Sequence, residues 1–287
     1  MTGLATPTNG ISASGKVIGP AATAAEVSWR HWLGFSILLI GQFMAVLDIQ
    51  IVASSLGELR ASLGATVEEI ALIQSTYLVA EVIMIPLSAW LARLLSIRIM
   101  FAGSAACFVL ASLLCASAWN LESMLVFRAL QGFCAGALTP LSFATIFFMF
   151  PRSKHAIGVA IAGMITTTGI TLGPIVGGWV TLTFSWHWIF LMNVVPGLIV
   201  VFGVLALIDV DRPQPHILPQ IDIPGVVLAG LFLGSLVILF DKGPESDWFD
   251  TPWIARLAVV MVISGGLFLW RELTCRYPVV ELRLFKD

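Results

Sequence analysis

The sequence predicts an all-α integral membrane protein with eight spans and both termini in the cytoplasm. Three observations predict it. First, 58% of the 287 residues are apolar and only 11% are charged, with a mean hydropathy of +0.96. Soluble domains carry about 25% charged residues, so a water-soluble fold of this composition would lack the polar surface to cover itself. Second, the apolar residues gather into runs near the ~20 residues that a helix needs to cross a bilayer core. Third, those runs show no alternation with polar residues, which argues against a β-barrel. The same composition excludes an ordinary cytosolic enzyme and a disordered chain. A formal net charge of −2 leaves no basic footprint for a nucleic acid.

The runs are residues 32–53, 70–92, 99–118, 123–150, 156–184, 188–208, 223–240 and 253–270. The fourth and fifth are long enough to tilt or to extend beyond the bilayer, and the last two lie near the lower limit. Residues 1–31 are rich in Gly, Ala, Ser and Thr and lack the apolar run of a signal peptide, so they read as a flexible cytoplasmic tail. With the N-terminus inside, the cytoplasmic side holds Lys16, Arg30, Arg93, Arg98, Arg152, Lys154, Arg212, Arg271, Arg276, Arg283 and Lys286. The outside holds Arg60 and Lys242, a bias of eleven to two. The proline-rich residues 209–222 form a cytoplasmic linker between a six-span unit (32–208) and a two-span unit (223–270), followed by a cytoplasmic tail (271–287). The acidic stretch 241–250 reads as a solvated exterior loop.

Metal chemistry finds no support. Cys107, Cys115 and Cys134 fall within spans, Cys275 is cytoplasmic, no C-x-x-C pair occurs, and the four histidines are scattered. The cysteines read as small packing residues. No nucleophile–base set, phosphate loop or cofactor motif appears, so the chain is not expected to be an enzyme or to hold a cofactor.

Four ionisable residues lie within the runs: Asp48, Glu81, Arg128 and Arg256. Each costs at least ~2.5 kcal/mol to insert and is therefore a functional candidate. Asp48 stands five residues before the outer end of the first run and Arg128 five residues after the outer start of the fourth. At 1.5 Å per residue both lie about 7–8 Å inside the outer boundary. An acid and a guanidinium at one depth can pair if their helices are neighbours. Such a pair lowers the acid's proton affinity until Arg128 moves away, which makes a proton switch. The alternatives are a structural ion pair or an Arg128 that snorkels outward alone.

Glu81 stands near the midplane of the second run. Gln74, Tyr77, Glu81 and Ser88 fall on one polar stripe, which has to face the bundle or a watery cavity. The stripe reads as cavity lining, or as satisfied interhelical hydrogen bonds. Gln131, one turn beyond Arg128, is assigned to the same cavity. Arg256 reads as a snorkelling residue and Asn193 as interhelical glue. In the fifth run Gly169, Gly173 and Gly177 repeat every four residues beside Pro174 and Gly178. That is a smooth face for close backbone approach; the alternative is plain tight packing, but a proline inside the stripe suggests a shaped, kinked helix at a moving interface.

These features resemble the EmrB/QacA-type drug:H+ antiporters, the fourteen-helix multidrug efflux branch of the major facilitator superfamily. MAVLDIQIVASSL (residues 44–56) is similar to the branch's acidic motif, with Asp48 at the acid. RALQG (128–132) matches R-x-x-Q-G, which the family associates with proton coupling. GITLGPIVGG (169–178) matches the antiporter motif, and WHWIFLMNVVPG (186–197) is similar to the start of helix six, with His187 where arginine is usual. The chain departs from G-x-L-A-D-R-x-G-R-R between helices two and three: Arg93 occupies the acid position and Ser96 a glycine position, while Arg93 and Arg98 keep the loop positive.

The resemblance implies a six-helix facilitator half followed by the two helices that this branch inserts between its halves. It implies proton-driven export of amphipathic drugs or toxic metabolites from the bacterial cytoplasmic (inner) membrane, powered by the proton gradient alone. Asp48 and Arg128 would then couple the proton, Glu81 and its stripe would line the cavity, Arg93 and Arg98 would belong to a cytoplasmic gating loop, and the glycine face of helix five would pack against the other half. A periplasmic adaptor and an outer-membrane channel are implied partners. A second six-helix half is also implied after Asp287. The rival readings are a truncated, non-transporting half that at most associates with a partner chain, and an exporter of a siderophore, sugar or amino acid on the same fold.

Overall fold

A computed structural model describes residues 28–220, 222–244 and 248–275. The expected tails, with Lys16, Arg276, Arg283 and Lys286, lie outside the described residues apart from short stretches beside the helices. The described chain forms helices α1 (Trp29–Ser54), α2 (Leu56–Leu63), α3 (Val67–Leu95), α4 (Ile97–Ala116), α5 (Leu121–Ala135), α6 (Leu138–Met149), α7 (Arg152–Thr183), α8 (His187–Leu191), α9 (Val194–Leu207), α10 (Ile223–Lys242) and α11 (Pro252–Thr274). Among the described residues eight helices are long and apolar enough to cross a membrane. In that count α5 with α6 and α8 with α9 each make one span.

Helix starts follow from local chemistry. Thr66 and Glu69 form a capping box on α3, and Asn120 and Ser123 form one on α5, so the first amides of each helix find side-chain acceptors. The amphipathic helix α2 was not anticipated; it ends at Gly64, whose φ of 65° suits a residue without Cβ.

The expected cytoplasmic gating loop is a single residue. Ser96 joins α3 to α4 at φ 84°, so Arg93 lies exposed in the last turn of α3 and Arg98 half-buried in the first turn of α4. Capping takes the place of a loop. The Ser96 hydroxyl accepts from the Ile99 amide at 3.3 Å. Both carboxylate oxygens of Asp211 accept from the Ile97 amide at 3.0 Å. Arg98 donates to the Leu205 carbonyl at the end of α9.

Helix α1 is the central helix, packed on α7, α9 and α6. The expectation that the glycine face of α7 packs against another half is corrected here, because it packs on α1. A Cβ at Gly169 would meet Val46 at 3.0 Å, one at Gly177 would meet the Ile51 Cα at 3.0 Å, and one at Gly173 would run into the Cβ of Gln50. A Cβ at Gly178 would meet no neighbouring helix within 4 Å, and α7 continues as a helix through Pro174. A second glycine pair sets α5 on α3. Here a Cβ at Gly132 would run into the Tyr77 backbone, and one at Gly136 into the Glu81 carbonyl and to 2.9 Å from the Met84 Cβ.

The two helices after the linker form a hairpin. Asp222 caps α10 by accepting from the Gly225 amide at 3.0 Å. It also pairs with Arg271 of α11, Nη2 to Oδ1 at 2.7 Å and Nε to Oδ1 at 2.7 Å. Helix α10 docks on α3 through Gly234 beside Val79 and Gly230 beside Ile83. Part of the expected exterior loop is helical. Asp241 and Lys242 form the last turn of α10, and the Ser75 hydroxyl of α3 donates to Asp241.

Candidate functional site

Asp48 and Arg128, found by counting residues along separate spans, meet. Arg128 Nη1 donates to Asp48 Oδ2 at 2.6 Å, and both side chains are fully buried. Gly132 and Gly136 bring α5 against α3, and the α7 glycines seat on α1, so close backbone packing as well as the ion pair holds these helices. Two further donors reach the other carboxylate oxygen: Asn193 Nδ2 at 2.7 Å and Gln131 Nε2 at 3.1 Å. Gln131 Oε1 in turn accepts from Arg128 Nη1 at 2.7 Å and from the Cys115 thiol at 3.5 Å, while its Nε2 also donates to the Ser112 hydroxyl at 2.8 Å.

Aromatic faces complete the cluster. The Arg128 guanidinium carbon lies 4.1 Å from the centroid of the Tyr77 ring and 5.9 Å from that of Phe190. A desolvated guanidinium over an aromatic face gains up to about 2 kcal/mol, part of what its burial costs. Arg128 Nε and Nη2 and the Tyr77 hydroxyl make no hydrogen bond with the described residues. The cluster thus holds one carboxylate, one guanidinium and five neutral polar partners, gathered from α1, α3, α4, α5 and the α8–α9 junction. It holds unused donors and no surface exposed to solvent. Such a group can store a proton only if the bundle moves to admit one.

The residues expected to line a substrate cavity divide into two sets. Tyr77 and Gln131 are fully buried and belong to the ion-pair cluster. Gln74 and Glu81 are half-buried on α3. Gln74 Nε2 makes a long contact to the Ile49 carbonyl of α1 at 3.4 Å, and Glu81 lies within the electrostatic reach of Arg128 and Asp48. Ser88 turns back to the Ile85 carbonyl of its own helix, so the stripe ends before it. Arg256 is exposed and donates to the Pro252 carbonyl. Asn193 is interhelical glue as read, and what it holds is Asp48. It stands at the junction between α8 and α9, a break that one polar residue in an apolar run does not announce. Ser112 and Cys115 were not singled out as partners; nothing in their spacing distinguishes them from packing residues.

Residues 38–279 match the Major Facilitator Superfamily. The chain belongs to this superfamily. It is therefore a multi-pass membrane protein of a transporter family rather than an enzyme. Over 267 residues it is 39% identical to the Colistin resistance protein EmrB of Acinetobacter baumannii, covering 91% of this chain and 52% of that protein. Over 250 residues it is 34% identical to the Multidrug export protein EmrB of Escherichia coli K12, covering 87% and 49%. The chain thus spans about half the length of these superfamily relatives. Among solved structures it superposes on a proton:xylose symporter, XylE, with a TM-score of 0.59 at 11% identity, covering 91% of this chain and 57% of that one. It superposes on a peptide transporter, POT, with a TM-score of 0.61 at 16% identity, covering 83% and 52%. At such identities the likeness establishes the superfamily fold alone.

Proposed function

We propose that this chain supplies the proton-coupling half of an efflux permease that exports amphipathic small molecules by alternating access. The observation that carries the reading is the fully buried Asp48–Arg128 pair at 2.6 Å, held by the acidic and R-x-x-Q-G segments of the antiporter resemblance. In this scheme ionised Asp48 balances the buried charge of Arg128. A proton arriving from outside binds Asp48 Oδ2, leaves Arg128 Nη1 with Gln131 Oε1 as its remaining acceptor, and deprives the guanidinium of its counter-charge. An uncompensated buried charge costs about 3–5 kcal/mol, enough to drive a change between two packed states. Release of the proton to the cytoplasm restores the pair. Glu81 and Gln74, half-buried on α3, serve as cavity residues, with Glu81 attracting cationic substrates.

The excess of Lys and Arg on one side supports cytoplasmic chain termini, and the resemblance to bacterial exporters supports the inner membrane as the site. The relatives' names support drugs or toxic small molecules as cargo. A periplasmic adaptor and an outer-membrane channel complete the exporter, and the proton gradient is its sole energy source, with no cofactor. The decisive experiment is dye efflux from energised vesicles carrying the product of the complete open reading frame. Asp48→Asn is expected to abolish proton-driven efflux while leaving the protein in the membrane. Efflux equal to that of the wild type overturns the reading.

A further inference from the structure

At the end of the bundle where α1 and α4 begin and α6 and α9 finish, two adjoining clefts share Arg98. The first, of about 420 Å³, is lined by Arg30 and His31 of α1, Arg98 of α4 and Asp209, over an apolar floor of Met149 and Leu207. The second, of about 380 Å³, runs from Arg98 and Arg212 to the apolar pair Ile99 and Leu205, with Asp209 and Asp211 also in its wall. Both volumes fall in the ~300–1,000 Å³ range of small-molecule sites. The basic set outnumbers the acids: three arginines and a histidine line the clefts against Asp209 and Asp211, and Asp211 is also bound at the Ile97 amide. Arg98 is oriented through its bond to the Leu205 carbonyl, and Arg30 and His31 are exposed at the rim. Above the second cleft the outer surfaces of α4 and α9 are apolar and uncovered, with Ile99 48% and Phe202 68% exposed. A basic cleft beside an uncovered apolar helix surface suits one kind of molecule, an anion with an acyl chain.

We propose that these clefts bind the phosphate headgroup of an anionic phospholipid, with Arg98 as the shared anchor, Arg30, His31 and Arg212 around the phosphodiester, and an acyl chain along Ile99, Leu205 and Phe202. Arginine matches phosphate oxygens with two parallel donors, and basic pockets between spans at the cytoplasmic side are suited to anionic headgroups. Neither the Asp48 cluster nor the transport reading is needed for this site.

The test is native mass spectrometry of the full chain, purified in detergent, with added phosphatidylglycerol or with phosphatidylcholine of the same acyl chains. Thermal unfolding with each lipid and with inorganic phosphate completes it. Phosphatidylglycerol is expected to be retained at least fivefold more than phosphatidylcholine and to raise the unfolding temperature, whereas inorganic phosphate leaves that temperature unchanged. The double variant R30A/H31A, which alters exposed side chains, and the variant R98A are each expected to lose that selectivity. R60A, on α2, keeps it. Equal retention of the two lipids overturns the proposal, as does selectivity unchanged in both basic-site variants, or a shift with inorganic phosphate as large as with phosphatidylglycerol. Because binding is read without transport, a failed efflux assay leaves this outcome independent.

Discussion

Asn193 at the α8–α9 junction donates to Asp48 Oδ1 at 2.7 Å, so a break in the sixth span is tied directly to the buried acid of the first. The bond has a measurable consequence. Interhelical hydrogen bonds in membranes contribute about 0.6 kcal/mol on average and up to ~1.7 kcal/mol. In a double-mutant cycle of Asn193→Leu and Asp48→Asn, unfolding in detergent should show a coupling energy of about 1 kcal/mol. Additive effects would show that the two side chains do not interact in the membrane protein.

Gly173 and Gly178 stand on one helix with opposite surroundings. A Cβ at Gly173 runs into the Cβ of Gln50 and comes to 3.3 Å from its Cα, while one at Gly178 has open space. Overpacking of this kind costs about 1–3 kcal/mol. Gly173→Ala should lower the unfolding temperature and reduce transport by separating α7 from α1. Gly178→Ala should be neutral or slightly stabilising, because alanine favours the helix. Equal effects at the two positions would dissociate the stripe from its α1 contact.

Ser96 adopts φ 84° between α3 and α4, a conformation that costs a residue with Cβ about 1–3 kcal/mol. Its hydroxyl offsets part of that by capping the Ile99 amide. Glycine loses only a few tenths of a kcal/mol as a cap, so Ser96→Gly is expected to raise the unfolding temperature by a few degrees. Alanine, with the strain kept and the cap lost, should lower it. An alanine variant as stable as the glycine one would refute the strained geometry.

Asp211 provides a pH signature. Burial raises its carboxyl above the ordinary range, the bond from the Ile97 amide opposes that rise, and Asp209 adds to it. The folded protein therefore holds the Asp211 proton more tightly than the unfolded chain does. The resulting stabilisation is complete below the ordinary carboxylate value of about 3.9 and is lost as pH rises through the raised one. Asp211→Asn keeps an acceptor for Ile97 without the charge. Wild type should lose unfolding temperature relative to this variant as pH climbs from 4 to 7; a constant gap would contradict the sign.

The eight spans were legible because hydropathy and length alone mark them, and Asp48 and Arg128 stood out as charges in apolar runs. Counting along each helix gave their depth, since rise per residue is fixed. The partners of a residue are a different matter. Tyr77 joins Glu81 on one stripe and Gln131 lies one turn beyond Arg128, which assigns both to a cavity, yet packing on α5 and α4 buries them around Arg128. Spacing on one helix names a face but not the neighbour that covers it. The same holds for the glycines of α7: their four-residue repeat announces a close approach, and only the fold shows that α1 makes it. Ser112 and Asn193 are common residue types in spans; Asn193 reaches the Asp48 carboxylate directly and Ser112 only by accepting from Gln131, an arrangement that depends on several helices at once.

The close seating of α7 on α1 has a mechanical consequence. With Gly169, Gly173 and Gly177 set against Val46, Gln50 and Ile51, the two helices share a contact that brackets the position of Asp48 and leaves no slack for sliding. At Gly177 a displacement of α7 toward α1 therefore meets the Ile51 backbone of the helix that holds the buried acid, and not flexible side chains alone.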